Sequence, residues 1–151
     1  MNHEHKDGCI FCDALDCADG VENLVAYRGK KSFIILNRYP YTNGHLMVVP
    51  NDHKPSIEFL DMETCNEIMV LLNLSVKVLR AVYAPEGFNI GTNIGDVAGA
   101  GVASHVHFHI VPRWGGDTNF ITTTGNVRVL PEELSQTYER ICRALAESIQ
   151  S

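Results

Sequence analysis

The chain has no apolar run long enough to cross a membrane, and it has fewer basic than acidic residues. A transmembrane helix needs about 20 consecutive apolar residues, and residues 1–6 lack the apolar core of a secretory signal peptide. The 18 acidic and 12 basic side chains give a formal net charge of −6, which disfavours binding to duplex nucleic acid through its phosphates. We therefore expect a cytoplasmic protein that binds neither a membrane nor a nucleic acid.

The rest of the composition is that of an ordinary globular domain. Hydrophobic residues make up 45% of the 151 residues, and this length suits one domain with a substantial core. We expect a single domain over 1–151, with an N-terminal loop over 1–20 that holds a Cys-x-x-Cys pair and a C-terminal segment and helix over 115–151. The five cysteines are expected to be reduced. Cys65 and Cys142 lie in predicted helices and are expected to be small buried side chains.

The order of apolar patterns along the chain predicts an α+β fold. Short apolar runs bounded by turn residues predict five strands, over 23–28, 32–37, 45–50, 88–94 and 104–112. Apolar residues at helical spacing predict one long central helix from its N-cap Asp61 to about Ala84. A C-terminal helix is predicted to begin at Pro131, with Glu132 and Glu133 in its first turn. This order indicates a mostly antiparallel five-stranded sheet.

Three histidines at alternate positions are the most informative feature of the chain. His105, His107 and His109 alternate with apolar residues and run into a Pro-Arg turn. A period of two places the three imidazoles on one face of a strand and the apolar side chains on the other. A single histidine of this kind is readily structural, but buried ring nitrogens need partners. Three in register therefore indicate chemistry near neutral pH.

The run from His105 to Val111 resembles the signature of the histidine-triad superfamily of nucleotide hydrolases and transferases. Residues 36–50 are similar to the first half of that family, and residues 87–95, with the Gly/Ala loop after them, are similar to its second half. The segment 112–121 resembles the branch that holds the fragile-histidine-triad and diadenosine tetraphosphate phosphorylase-like proteins. Together these motifs cover most of residues 9–145.

The resemblance implies a HIT-like fold and an enzyme that cleaves dinucleoside polyphosphates, above all diadenosine tetraphosphate, at the α-phosphate. It implies that the middle histidine, His107, forms a covalent nucleotidyl intermediate, and that His109, His105 and His45 shape the phosphate pocket. A neutral imidazole is a good nucleophile at pH 7, although the residues alone do not select the middle ring. Phosphorolysis to ADP and ATP and hydrolysis to AMP and ATP both stay open.

Two asparagines and a glycine-rich loop are candidate nucleotide-binding residues. Asn37 and Asn93 resemble the nucleotide-contacting amides of the family, although asparagine also forms turns readily. Gly99 and Gly101 can bring backbone N–H groups close to phosphate oxygens, and an ordinary loop is the alternative. Related branches carry a Gln-Ser or Gln-Thr pair before the triad, which this chain lacks. Ser104 is next to the triad, but alternation turns its side chain away from the histidines.

The Cys9-x-x-Cys12 pair indicates a metal site, since two thiolates make half of a tetrahedral zinc site. His53 is a candidate third ligand, and the resemblance to zinc-binding members of the superfamily implies His105 as the fourth. Such a closed site is structural, because no position is left for water. Two uncoordinated thiols are the alternative, and Cys17 is a rival ligand. No organic cofactor is expected.

Two other functions fit the residues. The three histidines could be catalytic ligands of a metal-dependent hydrolase, or the chain could bind purine nucleotides without turnover. The resemblance also implies a homodimer whose interface lies near the long helix and the C-terminus. Trp114 and Phe120 could serve a partner's site or pack in the core. His3 and His5 are expected to belong to a solvated, mobile terminus.

Overall fold

The computed structural model describes residues 3–117 and 132–150, which form the predicted α+β fold. The elements, in chain order, are α1 (Ile10–Asp16), β1 (Val25–Arg28), β2 (Ser32–Leu36), β3 (Leu46–Pro50), α2 (Met62–Tyr83), β4 (Gly87–Thr92), β5 (Phe108–Arg113) and α3 (Leu134–Gln150). Short 3₁₀ turns lie at Ile57–Phe59 and Asp96–Ala98. Within the described ranges, no helix has both the length and the apolar character needed to span a bilayer.

The five strands form one antiparallel sheet in the order β1-β2-β3-β5-β4. Every residue of β2 and β3 is buried, as expected for continuous apolar strands at the centre of a covered sheet. Helix α2 packs on these strands, and α3 packs against α2 and β1. The histidine-bearing strand β5 is held on both sides, by β3 and by β4.

Helix α2 begins and ends where the sequence predicts. The Asp61 side chain accepts a hydrogen bond from the Thr64 backbone N–H at 2.8 Å, and Ala84 ends the helix with a φ of 47°. The prediction that Cys65 is buried is wrong: it follows the buried Thr64 by about 100° of helix rotation and is exposed. Cys142 on α3 is only partly buried.

The prediction of a loop over residues 1–20 is wrong, since it contains helix α1. The residues before α1 also pack on the protein, because the Glu4 carbonyl accepts the His53 backbone N–H at 2.8 Å. His5 lies 2.9 Å from the Asp16 carboxylate, and His3 is partly buried. His3 is therefore partly covered by the domain, whereas His5 is exposed and pairs with Asp16.

The C-terminal helix begins at Leu134, later than predicted, so Glu132 and Glu133 precede it. Glu132 is instead a hydrogen-bond acceptor for Tyr83 at 2.6 Å, which ties the start of α3 to the end of α2. The predicted start of the helix at Pro131 lies outside the described residues, as does Phe120. Trp114 is described and is partly buried.

Candidate functional site

The three histidines lie where the chain enters β5, and only His109 is within the strand. The prediction that one strand holds all three is wrong, because the segment before Phe108 is held by other bonds. The His105 N–H donates to Val102 at 3.3 Å in a turn, and the Val106 N–H donates to Lys54 at 2.7 Å. His105 and His107 are buried. The His107 and His109 rings are nevertheless in contact, and the rings of His105 and His107 both pack on Phe11.

One nitrogen of the His107 ring is hydrogen-bonded, and within the described ranges of the chain the other is not. Its Nδ1 lies 2.9 Å from the His105 carbonyl oxygen, which can only accept, so Nδ1 carries the proton. The Nε2 atom is then left with a lone pair. Burial lowers the pKa of His107, which keeps the ring neutral at pH 7. Its ring centroid is 4.9 Å from those of Phe11 and His109. This arrangement suits a nucleophile.

His45 and His109 form a hydrogen-bonded pair beside His107. The Tyr41 backbone N–H donates to Nδ1 of His45 at 3.2 Å, so His45 carries its proton on Nε2. That Nε2 lies 2.9 Å from Nδ1 of His109, which must therefore accept. His109 is left as a donor through Nε2–H. Burial, and to a smaller extent the neighbouring His107, lowers the pKa of His109 to about 4. The ring is therefore neutral at pH 7.

Asn37 contacts one of the histidines, His45, whereas Asn93 contacts the glycine-rich loop. The Asn37 Oδ1 accepts the Tyr39 N–H at 2.8 Å, a turn-type bond, and its Nδ2 is 3.4 Å from Nε2 of His45. Asn93 donates to the Gly99 carbonyl at 3.4 Å. Gly99 has a φ of +91°, so glycine is favoured there.

Gly101 and Ser104 follow this loop and are both exposed. Among the described residues, no hydrogen bond joins Gly99 or Gly101 to the histidines. The exposure of Ser104 agrees with the expectation that its side chain points away from them.

A cavity of about 440 Å³ is lined by two residues that contact the histidines, although no histidine of the described residues lines it directly. Phe11, which contacts His107, and Asn37, which contacts His45, both line it. The apolar lining residues are Ile10, Phe11, Ala14, Leu24, Ile35, Leu36 and Met47. This wall could not be predicted from the sequence, because residues 1–20 were predicted to be a loop and α1 was not predicted. The apolar pair Ile10 and Phe11, between the two cysteines, indicates an apolar contact but is too short to predict a helix.

Four candidate metal ligands form a cluster in which all the ligand atoms lie within 4.8 Å of one another: Cys9, Cys12, His53 and His105. The Cys9 sulfur is 3.4 Å from Nδ1 of His105, and the Cys12 sulfur is 3.6 Å from the same atom and 3.5 Å from Nδ1 of His53. Tetrahedral zinc, with its usual bond lengths, places sulfur and nitrogen ligands about 3.6 Å apart. The four residues therefore fit a zinc ion, whereas the exposed Cys17 is not in the cluster.

The surroundings of this cluster also suit metal ligands. Nε2 of His105 donates to the Pro50 carbonyl at 2.8 Å, which turns the lone pair of Nδ1 towards the cysteines, as in metal sites with a fixed tautomer. Burial lowers the pKa of His105 to about 4 and also lowers that of His53. Burial raises the pKa of the Cys12 thiol to about 11. A bound cation would reverse this effect by stabilising the thiolate.

Comparisons with known proteins identify the family of this chain. A family model described as the HIT domain matches residues 20–116. The chain is 47% identical over 117 residues to a protein named AP-4-A phosphorylase from Mycobacterium tuberculosis, a match that covers 77% of this chain. The chain thus spans only 60% of that relative's length.

Two further relatives match over nearly their whole length. An adenosine 5'-monophosphoramidase of Schizosaccharomyces pombe is 30% identical over 137 residues, covering 88% of this chain and 95% of that protein. The crystal structure of a Zn-bound histidine triad family protein from Mycobacterium smegmatis superposes with a TM-score of 0.75 at 26% identity, covering 95% and 96% of the two chains. The chain therefore belongs to the HIT family.

Proposed function

We propose that this protein is a nucleotidyl hydrolase or transferase that cleaves dinucleoside polyphosphates, with diadenosine tetraphosphate as the preferred substrate. One observation carries the proposal: the neutral His107 ring donates its Nδ1 proton to the His105 carbonyl, and among the described residues nothing bonds its Nε2 lone pair. The ring also contacts Phe11, which lines the 440 Å³ cavity. The 47% identity to a protein named AP-4-A phosphorylase supports the choice of substrate.

The proposed reaction has two displacements at phosphorus. Nε2 of His107 attacks the α-phosphorus, the bond to the bridging oxygen breaks, and ATP leaves while AMP remains bonded to the ring. Phosphate or water then attacks the same phosphorus, the P–N bond breaks, and ADP or AMP is released. The Nε2–H of His109 is placed to donate to a phosphate oxygen on which charge develops. His105 fixes His107, and His45 fixes His109.

The cavity provides a place for one nucleoside of the substrate. Its apolar lining residues suit a purine ring, and polar lining residues such as Asn23, Asn37 and Tyr39 suit a sugar. We assign Asn37 to this contact, since it lines the cavity and reaches His45.

We assign the phosphates to Asn93, Gly99 and Gly101. Asn93 is hydrogen-bonded to Gly99, and both glycines are exposed in this loop, so that their backbone N–H groups can reach a ligand.

We propose that a structural zinc ion would be held by Cys9, Cys12, His53 and His105. Such an ion would cross-link these four residues and would take no part in the reaction.

The geometry disfavours the alternative of a hydrolase with three catalytic histidine ligands. Among the described residues, the metal-type cluster contains His105 but not the other two triad rings. Nδ1 of His107 and Nδ1 of His109 are already hydrogen-bonded.

We propose that the protein is a cytoplasmic homodimer. The five cysteines are free, as in reducing compartments. Helix α2 exposes Met62, Met69 and Val70, and the outer strand β4 exposes Ile90. Within the described part of the chain, β4 pairs only with β5, so this side of the sheet can accept a second copy. Sedimentation velocity tests the dimer, and a Val70→Glu variant that sediments as the wild type would count against this surface.

Product analysis tests the activity. The purified protein is incubated with diadenosine tetraphosphate, with and without phosphate, and the nucleotides are separated. ADP that appears only with phosphate identifies a phosphorylase, and AMP with ATP in both tubes identifies a hydrolase. Adenosine 5'-phosphoramidate is tested in parallel, because one relative is named as a monophosphoramidase. Binding of AMP without turnover of either compound would instead support a nucleotide-binding module and contradict the enzymatic proposal.

A further inference from the structure

Arg28, the last residue of β1, holds the C-terminal end of α1 from outside the cavity. Its guanidinium donates to the backbone carbonyls of Leu15 at 2.8 Å, Cys17 at 2.9 Å and Ala14 at 3.3 Å. Ala14 and Cys17 line the 440 Å³ cavity, whereas Arg28 does not. Arg28 is thus bonded directly to the backbone of the cavity wall.

Helix α1 needs such external support. It has seven residues, its N-cap Cys9 makes no side-chain capping bond, and its last turn has no basic residue. Isolated helices of this length are unstable in water, and the last carbonyls of a helix need partners. A cation near these carbonyls also interacts favourably with the helix dipole. Arg28 supplies both the donors and the charge from a neighbouring strand.

Asp19 fixes the orientation of Arg28. Nε of Arg28 lies 2.9 and 3.0 Å from the two Asp19 oxygens, and Nη2 lies 2.7 Å from Oδ1. The Asn23 amide donates to the Ala14 carbonyl at 3.0 Å and reaches Asp19 at 3.4 Å. A planar guanidinium can bond a carboxylate and several carbonyls at once, whereas a lysine ammonium lacks this fork.

We propose that Arg28 is a positioning residue for nucleotide binding. It acts through α1, which presents Ile10, Phe11 and Ala14 to the cavity. This inference rests on the proposed function, since it assigns the cavity to the nucleoside of the substrate. Because Arg28 contacts neither His107 nor His109, its loss affects binding of the nucleotide rather than the displacement at phosphorus.

The test compares wild-type protein with Arg28→Met, Arg28→Lys and the control Arg143→Met, which removes an exposed arginine from α3. The Kd for AMP is measured by calorimetry, and KM and kcat are measured with diadenosine tetraphosphate. We expect Arg28→Met to raise both the Kd and the KM about tenfold, with kcat within about twofold. Arg28→Lys should behave like Arg28→Met, and Arg143→Met like the wild type.

The outcomes separate this inference from the function on which it rests. A wild-type protein that neither binds AMP nor cleaves the dinucleotide would overturn both. An active wild type with an unchanged Kd in Arg28→Met, or with a loss confined to kcat, would overturn the role of Arg28 alone. If Arg28→Met does not fold, Asp19→Asn decides, because it keeps the guanidinium and weakens only its orientation. A Kd raised about threefold supports the inference, and an unchanged Kd overturns it.

Discussion

Nε2 of His45 lies 2.9 Å from Nδ1 of His109, and this hydrogen bond determines where both rings carry their protons. The Tyr41 backbone N–H occupies the other nitrogen of His45, so His45 is the donor of the pair. His109 is consequently held as the tautomer with its proton on Nε2. A backbone amide in the loop before β3 therefore controls the donor that the proposed mechanism uses at the phosphate.

Replacing His45 by phenylalanine tests this relay. The introduced benzyl side chain would keep the apolar packing on Tyr41, whose ring stacks on His45 at 5.3 Å, but Nδ1 of His109 would lose its donor. We expect kcat to fall about a hundredfold, with the Kd for AMP changed by less than about threefold. The same substitution at His5, which pairs with Asp16, serves as the control. Wild-type turnover by His45→Phe would contradict the relay.

His107→Asn tests the nucleophile itself. The asparagine is polar and smaller, so nucleotide binding should be nearly intact, whereas no ring nitrogen is left to attack phosphorus. We expect turnover of diadenosine tetraphosphate to be abolished and the Kd for AMP to stay close to that of the wild type. Mass spectrometry of the wild type, quenched during turnover, should show an added AMP that His107→Asn lacks. Retained activity in this variant would remove His107 from the role.

The short apolar runs were sufficient to predict the five-stranded sheet, and the spacing of apolar residues was sufficient to predict helix α2. The Cys-x-x-Cys pair, with His53, likewise indicated a cluster that the structure assembles around His105. These features can be predicted because periodicity and ligand chemistry are local properties of a sequence.

Helix α1 and its contacts could not be predicted from the sequence in the same way. Seven residues carry too little periodicity to indicate a helix, and α1 depends on hydrogen bonds from Arg28, 13 residues beyond Leu15. The cavity wall was missed with it. The triad was also predicted as one regular strand, whereas Val106 bonds to Lys54 rather than to a neighbouring strand. Backbone pairings between residues so far apart in the chain cannot be predicted from a local sequence pattern.

The pH dependence of stability should report the burial of His109. Burial, and to a smaller extent the neighbouring His107, lowers the pKa of His109 from 6.5 to about 4. Its contribution to the free energy of unfolding is therefore fully present above about pH 6.5 and is lost as the pH falls through about 4. Urea unfolding across this range should show a steeper fall for the wild type than for His109→Gln. Parallel curves for the two proteins would contradict the shift.

Removing the proposed zinc ion should affect stability more than chemistry. The cluster joins α1, the segment after β3 and the start of the triad, so its loss loosens three parts of the domain without removing the His107 nucleophile. We expect about one zinc ion per chain, a lower Tm after chelation, and a kcat per folded molecule that changes less. Cys12→Ser should reproduce this result without a chelator. A folded, metal-free protein with no turnover would show that the ion has a catalytic role.

Gly44 shows how closely the loop that carries His45 is fitted to the helices. Its φ is +82°, and a Cβ at this position would lie 2.8 Å from Cδ2 of Leu79 and 3.0 Å from Cε2 of Tyr83. Gly44→Ala therefore combines backbone strain with overpacking, and we expect a loss of about 1–3 kcal/mol in the free energy of unfolding.

Gly20→Ala is the matched control, because Gly20 has no positive φ and no heavy atom within 4 Å of the added Cβ. Denaturant unfolding of both variants measures the difference, and the control should stay within about 0.5 kcal/mol of the wild type. Since the loop must shift to accept the methyl group, His45 moves with it and the bond to His109 is weakened, so kcat should fall in Gly44→Ala alone. Equal stability and equal kcat in the two variants would show that this loop adapts without disturbing the histidine pair.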